Sequence, residues 1–477
     1  MLSDHSQQTD RRPAWTFVIV AAALFMVVLD NLVVTTALPS IQADLGATIQ
    51  SLEWTVNAYT LTYAVLLLTG AALGDRFGRR RMFVIGLGIF TVASAAAALA
   101  PTTAALIAAR AIQGVGAAIV TPLTLTLLAD VFPADKRGLA IGAWSGVSGL
   151  GVALGPLVGG AVVDGISWHW IFWINVPVGL AVIPLARRKL AESHGPARSL
   201  DLPGLALASA GLLGIVFGIV RGAELGWTSP TVLGSLIAGG ILVVAFLVWE
   251  HRAPAPMLPL RFFRSRAFSA VNGVSLAMYF GVFGSIFLLA QFFQVTQGYS
   301  ALEAGLRTLP WTGMPLIIAP IAGLLSDRIG SRPLMAIGLA LQATAIAWLA
   351  SVSSPTVAYS ELVIPFVMAG AGMAMVFAPA ANAVLGAVRP EEAGQASGAT
   401  NAIRELGGVL GIAVLATVFS HNGSYASPEA YTSGMSAAIW VGAAVLAIGA
   451  LTALLVPGRR AQRAAVARPL AQVEATA

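Results

Sequence analysis

The feature that most constrains this chain is a run of apolar stretches, each about 20 residues long, that returns along nearly its whole length. A spanning helix needs roughly that many apolar residues. In lipid the backbone must satisfy its own hydrogen bonds, which leaves helices or closed barrels. Fourteen such stretches are read near 14–38, 51–74, 81–100, 103–129, 138–163, 168–187, 203–222, 231–250, 267–295, 301–326, 332–352, 359–387, 392–420 and 433–456. Only 10% of the 477 residues are charged, against about 25% in an ordinary soluble domain. Mean hydropathy is +0.83. A soluble enzyme and a disordered chain are excluded on these grounds, because so few charges cannot cover a soluble surface. Cys is absent, which removes disulfides, iron–sulfur clusters and a thiol nucleophile. The apolar run after Arg11 and Arg12 is too long for a signal peptide and holds Asp30. It reads as an uncleaved first helix.

Lys and Arg placement gives the expected orientation. With the N-terminus inside, inner loops and tails hold 23 of the 27 basic residues. The outer segments 39–51, 100–103, 164–168, 353–359 and 421–432 hold none. These charges account for most of the pI near 10.0. They are spread over short loops with no basic patch that could track a phosphate backbone, so no nucleic-acid partner is expected.

The chain also repeats itself. Residues 138–155, GLAIGAWSGVSGLGVALG, echo 394–411, GQASGATNAIRELGGVLG, at an offset of 256. LGDRFGRR at 73–80 echoes LSDRIGSR at 325–332, at an offset of 252. The expected organisation is a tail over 1–13, a six-helix bundle over 14–190 and a linker over 191–266. The linker carries two extra helices, near 203–222 and 231–250. A second bundle covers 267–456 and a tail 457–477. Parallel six-helix halves are a known basis for alternating access.

Several positions carry chemistry. Asp30 lies within the first span and Arg110, followed by Gln113, within the fourth. Ionisable groups at such depth are costly and are usually functional. Burial disfavours a bare carboxylate, so Asp30 is the leading site for loading and releasing a proton; a fixed ion pair to Arg110 is the structural alternative. Arg404 and Glu405 sit together in the thirteenth span, about 100° apart on a helix, so they need not pair with each other. Glu405 is the second carboxylate candidate. The loop Asp75-Arg76-Phe77-Gly78-Arg79 puts an acid among arginines, and Asp327-Arg328 repeats it. Contacts of that kind can lock one conformation and break in another. In the fifth span Gly151, Gly155 and Gly159, with Gly160 beside them, form a stripe that lets a helix approach closely. Pro156 can kink that helix. His169 could titrate at an outer gate, although an interfacial aromatic belt with a solvated His is the simpler reading. Glu303 and Arg307 are expected to form a surface i,i+4 pair. Phe280, Phe283, Phe287, Gln291, Gln294, Trp311 and Met314 are candidates for lining a lipophilic cavity.

These segments resemble the major facilitator superfamily. Residues 71–80 are similar to its G-x-L-a-D-R-x-G-R-[KR] loop, with Ala71 in place of the first glycine. Residues 110–117, RAIQGVGA, resemble R-x-x-Q-G-x-G-A, which implies a role for Arg110 in proton transfer. Residues 151–160, GVALGPLVGG, match the antiporter signature G-x-x-x-G-P-x-x-G-G. Residues 29–39, LDNLVVTTALP, look like L-D-x-T-I-V-N-V-A-L-P of the fourteen-helix drug:proton antiporters, the EmrB/QacA-like group, with Leu32 and Thr35 altering the polar detail. Residues 167–179 and the Arg404-Glu405-Leu406-Gly407-Gly408 segment resemble the same group. The resemblance implies an all-α membrane protein with the major facilitator fold, two six-helix bundles plus two inserted helices.

The implied function is proton-coupled export of lipophilic, in some cases cationic, drugs or antibiotics across a bacterial inner membrane, with both termini cytoplasmic. No catalytic role is expected, and no cofactor or metal beyond protons as coupling ion. Expected partners are a small lipophilic substrate, protons and membrane lipids, around a monomer. Export of an endogenous metabolite or lipid, proton symport and a non-transporting sensor are the alternatives.

Overall fold

A computed structural model describes residues 3–132, 134–195, 201–254, 256–388 and 393–458. All regular structure among them is helical. In chain order the helices are α1 (Ser3–Leu45), α2 (Ile49–Phe77), α3 (Arg79–Ala98), α4 (Thr103–Val131), α5 (Ala134–Gly165), α6 (Trp170–Trp173), α7 (Asn175–Lys189), α8 (Leu202–Leu225) and α9 (Pro230–Arg252). They continue as α10 (Arg266–Gln291), α11 (Ala301–Thr312), α12 (Met314–Ile329), α13 (Ser331–Val352), α14 (Tyr359–Leu385), α15 (Ala393–Asn422) and α16 (Pro428–Ala453).

Local sequence explains many of the boundaries. The side chains of Thr48, Thr102, Asp201, Ser229 and Ser427 accept from a backbone N–H three residues on and start α2, α4, α8, α9 and α16. Each satisfies an N–H that the helix leaves free. The α2–α3 turn is made at Gly78, with φ +102°, and the α12–α13 turn at Gly330, with φ +89°. Glycine is the residue that adopts such φ values without strain. The two turns are 252 residues apart, so the repeat seen in sequence is a repeat of backbone geometry.

Among the described residues, 12 helical segments are long and apolar enough to cross a membrane. Two more helices are bent: α2 by 51° between Ile49–Leu67 and Thr69–Phe77, and α5 by 42° between Gly146–Val152 and Leu154–Gly165. Counting each bent helix as one span gives 14. The α5 break falls at residue 153, three before Pro156, within the turn that a proline ring crowds. The first span is longer than the sequence reading, which ended it at 38. α1 continues through Pro39 to Leu45. Thr35 and Thr36 turn their hydroxyls back onto the carbonyls of Leu32 and Val33, at 2.7 and 2.8 Å, in the turns before that proline.

The chain divides into two compact units, Met1–Met257 with Ile286–Leu309, and Leu258–Ser285 with Pro310–Ala477. In the first, α4 packs on α2 and α3, α3 on α7, α1 on α5, and α8 on α9 and α2. Its core includes Met26, Phe83, Leu87, Phe90, Ile119, Leu123 and Val182. In the second, α13 packs on α14 and α16, α12 on α14, and α15 on α16. Gly151 and Gly155 of α5 lie against Val28 and Leu32 of α1. Gly407 and Gly411 of α15, 256 residues later, lie against Leu276 and Phe280 of α10. Each unit therefore uses the same small-residue stripe for the same helix contact.

Candidate functional site

Arg110 and Gln113, at i and i+3 on α4, project from one face. They meet Asp30 of α1, where both side chains of the ion pair are fully buried. Arg110 Nη1 donates to Asp30 Oδ2 at 2.6 Å and to Gln113 Oε1 at 2.6 Å. Gln113 Nε2 donates to Asp30 Oδ1 at 2.8 Å and to Ser94 Oγ at 2.7 Å. Asn175, the first residue of α7, donates through Nδ2 to Asp30 Oδ1 at 2.7 Å. Arg110 Nε donates to the Thr55 carbonyl of α2 at 3.2 Å. Its guanidinium carbon lies 4.2 Å from the centre of the Tyr59 ring. Five helices thus contribute to one buried network. The network is not closed, because Arg110 Nη2 and Asn175 Oδ1 are buried without a hydrogen-bond partner. A buried ion pair is weak evidence for stability, and its desolvation cost often exceeds its gain. One with a spare donor and a spare acceptor beside it is suited to exchange partners when a proton arrives.

In the second unit Arg404 Nη2 donates to the Tyr279 hydroxyl and Nη1 to Asn401 Oδ1, the latter at 3.1 Å. The guanidinium carbon lies 4.6 and 5.1 Å from the Tyr279 and Phe377 ring centres. Phe283 stacks on Tyr279 at 5.2 Å. Glu405 does not pair with Arg404, and its Oε2 is buried with no partner. The two sequence neighbours have different partners, as their helical angle allows.

At the α2–α3 turn, Arg79 bridges two acids. It lies 2.8 Å from Asp75 Oδ1 and donates to both Asp130 oxygens at 2.7 Å. Ser193 Oγ donates to Asp130 Oδ2 at 2.6 Å. Glu192 accepts from the backbone N–H groups of Arg80 and Arg81, at 2.9 and 3.2 Å, and so caps α3, whose first residues follow Gly78 directly. Arg76 is exposed and lies 5.3 Å from the Phe77 ring centre. In the second copy Arg328 is exposed, and the Asp327 side chain lies outside the described residues.

The α5 stripe is occupied on both sides. A Cβ on Gly155 would sit 2.6 Å from Leu32 Cβ, and one on Gly159 would sit 2.9 Å from the Val33 carbonyl. Gly160 faces Ala301 of α11, and the Pro156 carbonyl faces Gly305. Asp164, at the end of α5, accepts from the Ala301 and Leu302 N–H groups at 3.0 and 2.7 Å.

His169 stacks on Trp168 at 3.8 Å and lies 4.0 Å from Asp44, which also accepts from Trp168 Nε1. Glu303 and Arg307 meet through the backbone: Arg307 Nη1 donates to the Glu303 carbonyl at 3.3 Å, while Glu303 Oε2 accepts from the Ser300 N–H at 3.0 Å and Arg307 lies 3.5 Å from the Tyr299 ring centre. Of the aromatic and amide cavity candidates, Phe287, Gln291, Phe280 and Trp311 are buried. Gln294 donates to the Thr36 carbonyl at 3.0 Å.

Sequence reasoning missed Asn175, Ser94, Asp130, Glu192, and the buried pair Glu53 and Asn57 on α2. Glu53 and Asn57 carried a usable signal, an acid and an amide inside an apolar stretch. Glu192 and Asp130 had none, because their roles depend on which loop returns beneath α3.

The Major Facilitator Superfamily model matches residues 20–412 and 276–472. The chain is 39% identical over 455 residues to the cephamycin export protein CmcT of Amycolatopsis lactamdurans, covering 92% of this chain and 91% of that protein. It is 35% identical over 411 residues to the tetracenomycin C resistance and export protein of Streptomyces glaucescens, covering 86% and 76%. Among solved structures it is similar to a POT family transporter in complex with a thioalcohol-conjugated peptide. There the TM-score is 0.68 at 15% identity, with 92% and 95% of the chains covered, which speaks to fold alone. With the repeated stripe contacts, the two glycine turns and the ion pair buried among five helices, these matches place the chain in the Major Facilitator Superfamily.

Proposed function

We propose that this chain is a proton-coupled antiporter of the fourteen-helix drug:proton group, exporting lipophilic, in some cases cationic, antibiotics or drugs across a bacterial inner membrane. Both termini are cytoplasmic in this reading, the unit of function is a monomer, and the coupling ion is the proton. The observation that carries it is the buried Asp30–Arg110–Gln113 network with its unused donor on Arg110.

A proton arriving at Asp30 Oδ2 neutralises the carboxylate and ends its ion pair with Arg110. The guanidinium keeps the Thr55 carbonyl and Gln113 Oε1, and its free Nη2 gives it another donor to redirect. Neutral Asp30 no longer holds α1 to α4 and α7 by charge-assisted bonds, which are about twice as strong as neutral ones. Substrate and proton must favour opposite states for coupling to follow. Glu405, buried with an unused oxygen, is the second group able to take a proton or a substrate cation. The Asp75–Arg79–Asp130 cluster, with the Asp327-Arg328 copy, serves as the latch of one state, and the α5 stripe keeps the packing tight against leak.

The names of the relatives favour a narrower second reading, in which the chain exports one particular antibiotic or metabolite. Both readings are tested in proteoliposomes of purified protein with an acidic lumen and external ethidium. The proposal predicts dye accumulation that collapses when the pH gradient is removed. Accumulation that survives the collapse contradicts it. A response to only one member of a panel of lipophilic compounds selects the narrower reading.

A further inference from the structure

Outside the Asp30–Arg110 network, α2 carries two buried polar side chains one turn apart. Glu53 and Asn57 lie on α2 with 1% and 0% of their surface exposed. Glu53 Oε2 has no hydrogen-bond partner, and neither the Nδ2 nor the Oδ1 of Asn57 has one. Buried polar atoms are nearly always paired, because leaving them bare is costly. An apolar side chain at either position would serve the helix better, so these groups contribute nothing to the fold that explains their presence.

Their placement is specific. Residues four apart stack one turn above the other, about 40° apart around the axis. α4 packs on the other side of α2, where Gly114 meets Tyr59, Thr62 and Tyr63. The unpaired groups therefore face away from α4. Thr55, midway between them, is the residue whose carbonyl accepts from Arg110 Nε. One turn of α2 thus holds Arg110 on one side and carries the bare carboxyl and amide on the other, at the same depth.

We infer that Glu53 and Asn57 form a substrate subsite that takes a protonated amine. The ammonium donates to the Glu53 carboxylate and to Asn57 Oδ1, and Asn57 Nδ2 donates to an oxygen of the same ligand. An ammonium has three donors and no acceptor, which matches two bare acceptor groups one turn apart. The subsite rests on the export reading and names its substrate class as amine-bearing lipophilic compounds. It also puts substrate and ion pair on a single helical turn, so each can alter the other's position through Thr55.

The test uses full-length protein in nanodiscs, with dansylcadaverine as probe and its N-acetyl derivative as the uncharged control. Binding is read by dansyl fluorescence and gradient-driven uptake by proteoliposomes. The expected results are tighter binding of the amine than of the acetylated form, and about a tenfold weaker affinity for the amine alone in Glu53→Gln, the size of one lost charge-assisted bond. Asn57→Leu weakens the amine by a smaller factor. Equal affinity of the wild type for both probes overturns the inference, as does an equal loss for both probes in Glu53→Gln. Selective binding without gradient-driven uptake upholds the subsite and contradicts the export reading. Uptake with no preference for the amine does the reverse.

Discussion

Arg110 Nη1 lies 2.6 Å from Asp30 Oδ2, and neither side chain has any solvent exposure. Removing one partner of such a pair strands the other charge, at a cost of about 3–5 kcal/mol. Arg110→Ala is therefore expected to lower the melting temperature of the purified protein sharply. Adding Asp30→Asn to it should recover part of the loss. Melting followed by tryptophan fluorescence in detergent checks this. An Arg110→Ala protein as stable as the wild type would show that the pair is solvated.

The cluster at the α2–α3 turn should behave differently. Its side chains keep solvent contact, Arg79 at 14%, Asp75 at 20% and Asp130 at 32%. Pairs of this kind contribute about 0–1 kcal/mol. Arg79→Gln and Asp130→Asn should thus leave melting nearly unchanged and reduce the rate of dye transport. Arg79→Lys should not restore the rate, because one ammonium does not reproduce the fork that reaches both acids. Large melting shifts in these variants would assign the cluster to stability instead.

The α5 stripe predicts a graded series. A Cβ on Gly155 meets Leu32 Cβ at 2.6 Å, whereas one on Gly146 meets nothing within 4 Å. Gly155→Val should destabilise by about 1–3 kcal/mol, the usual cost of overpacking, and should impair transport. Gly146→Ala should be tolerated. Paired measurements of folded yield and uptake distinguish the two.

Gly78 tests the link between turn and cap. Its φ is +102°, and an added Cβ would lie 2.8 Å from the Glu192 carboxyl. Gly78→Ala should cost about 1–3 kcal/mol in backbone strain and displace Glu192 from α3. Glu192→Gln, which keeps the turn, should cost less. Hydrogen exchange at the first amides of α3 reads both effects, and equal protection in all three proteins would contradict the capping role.

Much of this was legible in the sequence. The period of the apolar runs located the spans, because lipid leaves so few alternatives. The offset of 256 located the paired stripes, because only small residues permit that helix approach. Asp30 and Arg110 stood out as charges where charge is costly, and Arg404 and Glu405 took different partners, as their angle allowed. α1 runs through Pro39 past its expected end at 38, because a proline can kink a helix without ending it. Asn175 and Ser94 could not be read as Asp30's partners, because uncharged polar residues are common in spans and only the packing of α1, α3 and α7 brings them together. Glu303 and Arg307 do meet at i,i+4, but through the Glu303 backbone carbonyl, because the Glu303 carboxylate turns back to the Ser300 N–H.

In the proposed cycle Asp30 exchanges a proton for substrate. The most direct measurement follows lumenal pH in proteoliposomes, by a trapped pH-sensitive dye, when ethidium is added to wild-type and Asp30→Asn protein. The account predicts that ethidium entry drives protons out of an acidic lumen in the wild type, and that Asp30→Asn still binds ethidium but moves no protons with it. Substrate-driven proton movement that persists at the wild-type rate in Asp30→Asn would contradict the account and pass the role to another group, with Glu405 the first to examine.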